Sequence, residues 1–396
     1  MKTPKTRRVL SLSTLFPNPA QPRFGIFVAR SLEALQRDTK WDVTVINPIG
    51  LPPVALGRYR ELAAAAQDSE EFGISIHRPV FRLIPKIGGR LNPALIARAV
   101  LPLVRRLHAQ NPFDLVDAQF FYPDGPAAMM IARDLGLPFT VKARGSDIHH
   151  WGARRYGRDA LLKTARAASG VLAVCKALAD DMAMLGMERE KIRVHYTGLD
   201  RDLFRPMDHA GLRARLAQTF DVPLTNDDLL LVTVGALIER KGQALVIKAL
   251  AHLPKGRLLL IGKGEDRASL LALARDVGVA DRVHMLGSLD PAVLPPLLSA
   301  ADAMVLPSAS EGLANAWIEA LACGTPIVIT DAGGAREVVT TPDAGVIVAR
   351  NCRAVREGIE LVTARPRSPE KVAAAVDEFS WAANGKALAA YYDTLV

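Results

Sequence analysis

Ser310-Glu-Gly-Leu-Ala-Asn-Ala-Trp-Ile-Glu-Ala-Leu-Ala-Cys-Gly-Thr-Pro326 decides the fold. Ahead of it runs Asp302-Ala-Met-Val-Leu-Pro307, an apolar run of strand length. Behind it, Pro326 opens a second apolar run, Ile327-Val-Ile-Thr330. Gly324 reads as the stop of the helix between them. The unit is therefore strand, loop, helix, strand, and it carries two carboxylates. Glu311 falls in the loop mouth, and Glu319 falls roughly two turns into the helix, about 12 Å further along its axis by the standard rise. Gly312 lets the backbone approach a ligand, and the helix start offers unpaired N–H groups and a partial positive charge. A ligand touching both carboxylates must be long, polar at each end and anionic between. A nucleotide-sugar has that layout.

The pattern repeats upstream. Leu229–Gly235 reads as a strand, followed by Ala236-Leu-Ile-Glu-Arg-Lys-Gly242 and a helix over 243–252. Arg240 and Lys241 lie between strand end and helix start, a position suited to a diphosphate. Arg257–Gly264 again runs strand into glycines. Gly262 and Gly264 form a partial phosphate-loop signal, since Arg267 stands where a third glycine belongs. Arg282–Leu289 reads as a strand whose end, at Leu289, is placed to meet a base through its backbone.

The first half shows the same alternation. Strands are expected over 9–16, 41–47, 114–119, 139–143, 171–175 and 191–195, with helices over 26–35 and 92–110. Alternating strands and helices predict an α/β chain with parallel sheets covered on both faces. Gly25, where the first loop meets its helix, marks either a close approach to a ligand or a simple turn. The helix over 92–110 carries Arg98, Arg105 and Arg106 opposite an apolar face, which suits packing on the sheet better than lying on a membrane. Arg144-Gly-Ser-Asp-Ile-His-His-Trp-Gly-Ala-Arg-Arg-Tyr156 follows a strand end, where doubly wound sheets place ligands. There Asp147 would orient a hydroxyl, act as a base, or cap the next helix. Arg144, Arg154 and Arg155 suit a phosphate, and Trp151 and Tyr156 suit a lipid interface. His149 and His150 are adjacent rather than at ligand spacing, so no metal site is expected.

The 396 residues divide into a first domain over 1–205, a second over 206–378, and an amphipathic C-terminal helix over 379–396 that returns to the first. Three widely spaced cysteines argue against a disulfide framework and for a reducing cytoplasm. No run of eighteen apolar residues appears, so no membrane-spanning helix is expected. Charge is asymmetric. Residues 1–205 hold 31 Lys and Arg against 19 Asp and Glu, a net +12, and residues 206–396 hold 19 against 22, a net −3. A basic half beside a near-neutral one suggests that the first half faces an anionic surface, from the inner side of a membrane.

Taken together, these residues resemble the retaining glycosyltransferases of family 4. The resemblance rests on Val234–Gly242, Ile261–Gly264, the Glu-x7-Glu block within Ser310–Pro326, and Gly333-Gly-x-x-Glu337. Looser matches in the first half are Gly25, Gly145-Ser-Asp147 and Thr197-Gly-Leu-Asp200. The resemblance implies the GT-B architecture, two Rossmann-like doubly wound domains facing a cleft. It implies donor contacts from Gly25, Gly262, Gly264, Leu289, Gly312 and Leu313, with Glu319 on the ribose. It places Glu311 at the transferred sugar beside Asp147 and Arg144, and gives Arg240 and Lys241 the leaving diphosphate. The chemistry implied is metal-independent hexosyl transfer with retention, using a UDP-, GDP- or ADP-sugar as donor and no cofactor. The acceptor would be lipid-linked or a polysaccharide. Two positions depart from the family. Ala236 stands where an arginine is common, and Arg144 stands where a histidine is common. An arginine at 144 suits an anionic sugar or a phosphate-linked acceptor.

Two other functions remain compatible with these residues. A nucleotide-sugar epimerase or a phosphorylase shares the architecture, although the Glu-x7-Glu block favours transfer. A non-enzymatic polyanion binder would use the basic half, but no nucleic-acid-binding signature supports it.

Overall fold

The computed structural model describes residues 6–84, 88–208 and 211–396. The chain forms two units. One comprises the residues up to Gly198 together with Trp381–Val396, and the other Leu199–Ser380.

The first unit carries β1 (Arg7–Leu12), β2 (Trp41–Ile46), β3 (Ile49–Leu51), β4 (Ser69–Glu71), β5 (Ile74–His77) and β6 (Val80–Arg82). It continues with β7 (Leu115–Ala118), β8 (Phe139–Ala143), β9 (Gly170–Ala173) and β10 (Ile192–Val194). Eight of these form one sheet in the order β10-β9-β8-β7-β1-β2-β5-β4, parallel throughout except for the β4–β5 hairpin. Strands β7, β8 and β9 are buried at every residue, as parallel strands covered on both faces must be. The segment between β2 and the helix Asn92–Gln110 had no assignment in the sequence reading. It supplies the edge hairpin β4–β5 and a two-stranded sheet of β3 and β6.

The C-terminal helix Trp381–Tyr392 belongs to this unit. It packs on the helix Ile26–Asp38, and Gly385 lies so close that a Cβ there would stand 2.6 Å from the Ala34 carbonyl carbon. Asn384 accepts from the Ser31 hydroxyl at 2.6 Å, and Tyr392 meets Trp41 edge-on at 5.3 Å. The unit border falls between Gly198 and Leu199 rather than at 205. Arg201 explains the shift, because its guanidinium donates to the Val376 carbonyl and to Asp377, tying the turn to the second unit.

The second unit holds β11 (Leu229–Val234), β12 (Gly256–Ile261), β13 (Val283–Gly287), β14 (Ala303–Leu306), β15 (Ile327–Thr330) and β16 (Gly345–Val348). All six are parallel, in the order β13-β12-β11-β14-β15-β16. This is the doubly wound order in which the chain works outward from a central strand and then restarts on its other side. The switch point lies between β11 and β14. Leu231, Val246, Leu258, Val305 and Val328 anchor an apolar core beneath it.

Candidate active site

At the switch point of the second unit, the loops after β11 and β14 meet. The loop after β14 is pinned from several sides. Ala309 donates to the Arg240 carbonyl at 2.7 Å, and Gly334 donates to the Gly312 carbonyl at 2.7 Å. Thr330 Oγ1 donates to the Ser308 carbonyl, and Arg240 to the Ser310 carbonyl. Arg350 bridges both loops, donating to the carbonyls of Pro307 at 3.1 Å and Glu239 at 2.9 Å. Backbone groups held this firmly fix where Glu311 points.

Glu311 points at the cations from the other loop. Lys241 Nζ lies 2.5 Å from its Oε1, and Arg240 Nη1 lies 3.6 Å from its Oε2. The Glu311 and Lys241 side chains are only 8% and 14% exposed, whereas Arg240 is 40% exposed and accessible to an anion. Gly312 and Leu313 are buried just before the helix Asn315–Ala322. That helix starts later than the sequence suggests. Ala314 is extended at ψ 121, so Glu319 lies little more than one turn into the helix, not two. Its carboxyl is pushed up to about 7 by burial, and it has no hydrogen-bond or ion-pair partner among the described residues. The residue is half-buried, so a carboxylate that the protein leaves unpaired there can receive a ligand's donors.

The glycines after β11 and β12 have a packing reason. A Cβ at Gly262 would stand 1.9 Å from the Gly235 carbonyl oxygen, and one at Gly264 would stand 2.1 Å from that of Leu237. These two loops lie against each other, and only glycine permits it. Leu289 lies just past the end of β13, half-buried. Arg240, Lys241, Gly262, Gly264, Leu289, Glu311, Gly312 and Leu313 thus all stand on loops at the C-terminal edge of four adjacent strands. Glu319 stands on the helix that follows the last of them.

The remaining three expected residues lie in the first unit, around its own switch point between β1 and β7. Gly25 precedes the helix Ile26–Asp38 at φ 71, and a Cβ there would stand 2.4 Å from the Leu15 carbonyl oxygen. Loop packing alone therefore requires glycine. Arg144 donates from Nε to the Gln119 carbonyl at 2.8 Å and from Nη2 to the Gln119 side chain at 2.6 Å, with Phe27 stacked at 4.9 Å. Burial draws its guanidinium down to about 10, opposed by Asp147 and Asp117, so it stays cationic at neutral pH.

Asp147 differs from the expectation of a base. It is fully buried and accepts from the backbone N–H groups of Phe121 at 2.8 Å, Arg144 at 2.9 Å and Ile148 at 3.1 Å. Its oxygens are spent on clamping the loops after β7 and β8. Trp151 also differs from a free interfacial ring. It packs between Tyr122, at 4.5 Å, and the Arg154 guanidinium, at 5.4 Å. His149 bonds Asp181 at 3.0 Å. Among the described residues, no group of three or more His, Cys, Asp or Glu is placed to hold a metal ion.

Sequence reasoning missed Arg350, which follows β16 as an isolated arginine with no motif around it. It also missed the buried pair of Lys142 and His195, described below, because a lysine inside a strand announces no partner fifty residues away.

Two doubly wound units on largely parallel sheets, with a cationic and a carboxylate loop meeting at the switch point of the second, make up the architecture of this chain. Solved structures share it across nearly the whole chain. Sucrose-phosphate synthase from Thermosynechococcus elongatus superposes with a TM-score of 0.79 at 20% identity, covering 98% of this chain and 99% of that one. Anabaena HepE in complex with UDP and glucose gives 0.73 at 20%, with the same coverage. Residues 24–203 match the model of Glycosyltransferase Family 4, and residues 215–378 match that of Glycosyl transferases group 1. The chain belongs to the family 4 glycosyltransferases.

Among its relatives, the putative teichuronic acid biosynthesis glycosyltransferase TuaC of Bacillus subtilis is 27% identical over 89% of this chain and 88% of its own length. The lipopolysaccharide core biosynthesis glycosyltransferase LpsE of Rhizobium meliloti is 36% identical, over 43% of this chain and 46% of its own length. D-inositol 3-phosphate glycosyltransferase of Segniliparus rotundus is 35% identical, over 40% and 36%. The latter two are matched over less than half their length.

Proposed function

We propose that this glycosyltransferase moves a sugar, with retention of anomeric configuration, from a nucleoside diphosphate to a lipid-linked or cell-envelope glycan acceptor. The observation that carries the reading is the pair of unlike carboxylates on one loop–helix unit. Glu311 is gripped by Lys241, and Glu319 is half-buried without a partner. A ribose offers two hydroxyl donors to an unpaired carboxylate, which would satisfy Glu319. Arg240 and Lys241 then meet the diphosphate one loop away and neutralise it as it leaves. Glu311 and the N–H groups of Gly312 and Leu313 face the transferred sugar, and the loop end at Leu289 meets the base. Catalysis by this arrangement is positioning and charge stabilisation, with the leaving phosphate taking the acceptor's proton.

The acceptor class is supported by the names of two relatives, which concern teichuronic acid and the lipopolysaccharide core. It is supported also by Arg144, a cation fixed at the switch point of the first unit. The basic first half suits docking on an anionic membrane. No helix among the described residues is long and apolar enough to cross one.

Calorimetric titration of UDP, GDP and ADP tests the donor site. One nucleotide should bind wild type and bind Glu319→Ala at least about tenfold more weakly, the effect of one lost charge-assisted hydrogen bond. If none binds wild type, the donor reading falls. Docking is tested by extraction. If high salt leaves the protein as membrane-bound as low salt does, electrostatic attraction is not what holds it.

A further inference from the structure

The first unit contains a cavity of about 260 Å³ that the donor site does not use. Its apolar walls are Phe16, Ile26, Ala29, Phe72, Ile74 and Ile76, with prolines from the loop after β1, and Asn18, Arg30, Glu33 and Glu71 also line it. Ile26, Ala29 and Glu33 recur at helical spacing, so they form a stripe on the helix Ile26–Asp38 beside the buried stripe of Val28, Leu32 and Leu35. Ile74 and Ile76 come from β5 and belong to the same apolar core as Val28 and Leu32. The cavity is thus a gap between one helix and the outer edge of the sheet. The loop of Phe16 and Pro17 brings it to the C-terminal edge of β1, at the switch point.

The hairpin that closes the cavity is strained. Glu71 pairs with Ile74, leaving Phe72 and Gly73 as a two-residue turn with φ 54 and φ 74. Both central residues at positive φ is the type I′ arrangement, where asparagine followed by glycine is preferred. Phenylalanine is a poor choice there, and its ring is 67% exposed. Strain held at an exposed aromatic beside a cavity points to use rather than packing. Arg30 lies 5.7 Å over that ring and pairs with Glu33 at 2.9 Å. Phe24 and Ile26 add further exposed apolar surface, at 47% and 38%. Behind the hairpin, the buried Arg78 donates to the Gln67 carbonyl and the Ser69 hydroxyl, both at 2.8 Å, which fixes the turn's base.

We propose that this cavity holds the proximal part of the hydrocarbon chain of a lipid-linked acceptor. The proposal rests on the glycosyl-transfer reading and narrows its acceptor to the lipid-linked class. The cavity is smaller than a nucleotide-sugar needs and has mostly apolar walls, so a hydrocarbon chain fits its chemistry. The exposed Phe24, Ile26 and Phe72 suit an acyl–headgroup boundary, and the net +12 of residues 1–205 suits an anionic surface. A chain seated here puts its polar end at the strand C-termini, where the first unit presents Arg144.

The test uses the full chain with a diazirine-tagged hexadecyl phosphate carried in phosphatidylglycerol vesicles, with the labelled peptides read by mass spectrometry. Label should fall within 16–33 and 71–76. Ala29→Phe fills the cavity and should reduce that labelling about tenfold. Phe72→Asn relieves the turn, so it should raise Tm by a few degrees while also reducing labelling about tenfold. A stabilised protein that loses the label cannot have lost it by unfolding. Label elsewhere, or label unchanged in Phe72→Asn, overturns the proposal. Nucleotide titration of the same variants separates the two readings. It tests the second unit, and its failure alone leaves the cavity result standing.

Discussion

The two units share a doubly wound plan but treat charge in opposite ways. Among the described residues, every fully buried charged side chain lies in the first unit: Arg78, Asp117, Asp124, Lys142, Asp147 and His195. Nearly all are matched by partners. Asp117 accepts from Thr140 at 2.9 Å and Ser11 at 3.1 Å, and Asp124 from Thr14 Oγ1 at 2.7 Å. Lys142 Nζ donates to His195 Nδ1 at 2.6 Å, and His195 Nε2 donates to the Asn384 carbonyl at 2.9 Å. Burial pushes both Lys142 and His195 well below their ordinary values, in a chain of contacts that ties β8 to the C-terminal helix. Among the described residues the second unit fully buries no charged side chain, and at its loop rim the half-buried Glu319 carboxylate goes unmatched. Polarity in a core is thus a weak mark of a site, because it serves the fold once satisfied. The informative group is the one left without a partner.

That contrast is broken first through the rim. Lys241→Ala removes the cation from Glu311 and from the proposed diphosphate, so transfer should fall about 10²–10³-fold, the scale for losing one preorganised charge contact. Single-turnover transfer with the nucleotide found by titration checks this. If kcat/KM changes less than about threefold, the rim charges do not carry the chemistry. Asp147→Ala should act in the other way. It leaves three buried N–H groups unpaired and should destabilise the first unit by about 3 kcal/mol, seen as an early transition in denaturant. If stability holds while transfer alone is lost, Asp147 acts on substrate after all, and the contrast between the units fails.

The same contrast explains what the sequence reveals. Ile327–Thr330, Phe139–Ala143 and the helix Asn92–Gln110 were legible to the residue, because apolar runs bounded by Pro and Gly carry their own period. The hairpin β4–β5 was not. Its strands are short, and Phe72 hides a turn that asparagine would have announced. The rim was legible as loops, since Arg240, Lys241 and Glu311 follow strands that the pattern fixes. The Lys241–Glu311 contact joins residues seventy positions apart and depends on the strand order, which local pattern does not encode. Asp147 was found for its chemistry with its role left open between base and cap, because a carboxylate clamping a loop and one acting as a base look alike in sequence.

Glu319 offers the smallest effect and the sharpest sign. Burial raises its carboxyl from the ordinary 4.5 to about 7 with no partner to oppose the shift. In the unfolded chain it ionises near 4.5, so between that pH and 7 the unfolded state releases a proton that the folded state keeps. Stability from this group is fully present below 4.5 and is lost as pH rises through about 7. Glu319→Gln imitates the protonated form at every pH. The substitution should therefore change Tm little at pH 4 and stabilise the protein by about 2 kcal/mol at pH 8, while weakening nucleotide binding there. Nucleotide binding to wild type should in turn release the strain on the ionised carboxylate and tighten as pH rises through 7. If the variant is no more stable than wild type at pH 8, Glu319 is already matched in the free protein. The rim carboxylate would then follow the same rule as the buried carboxylates of the first unit.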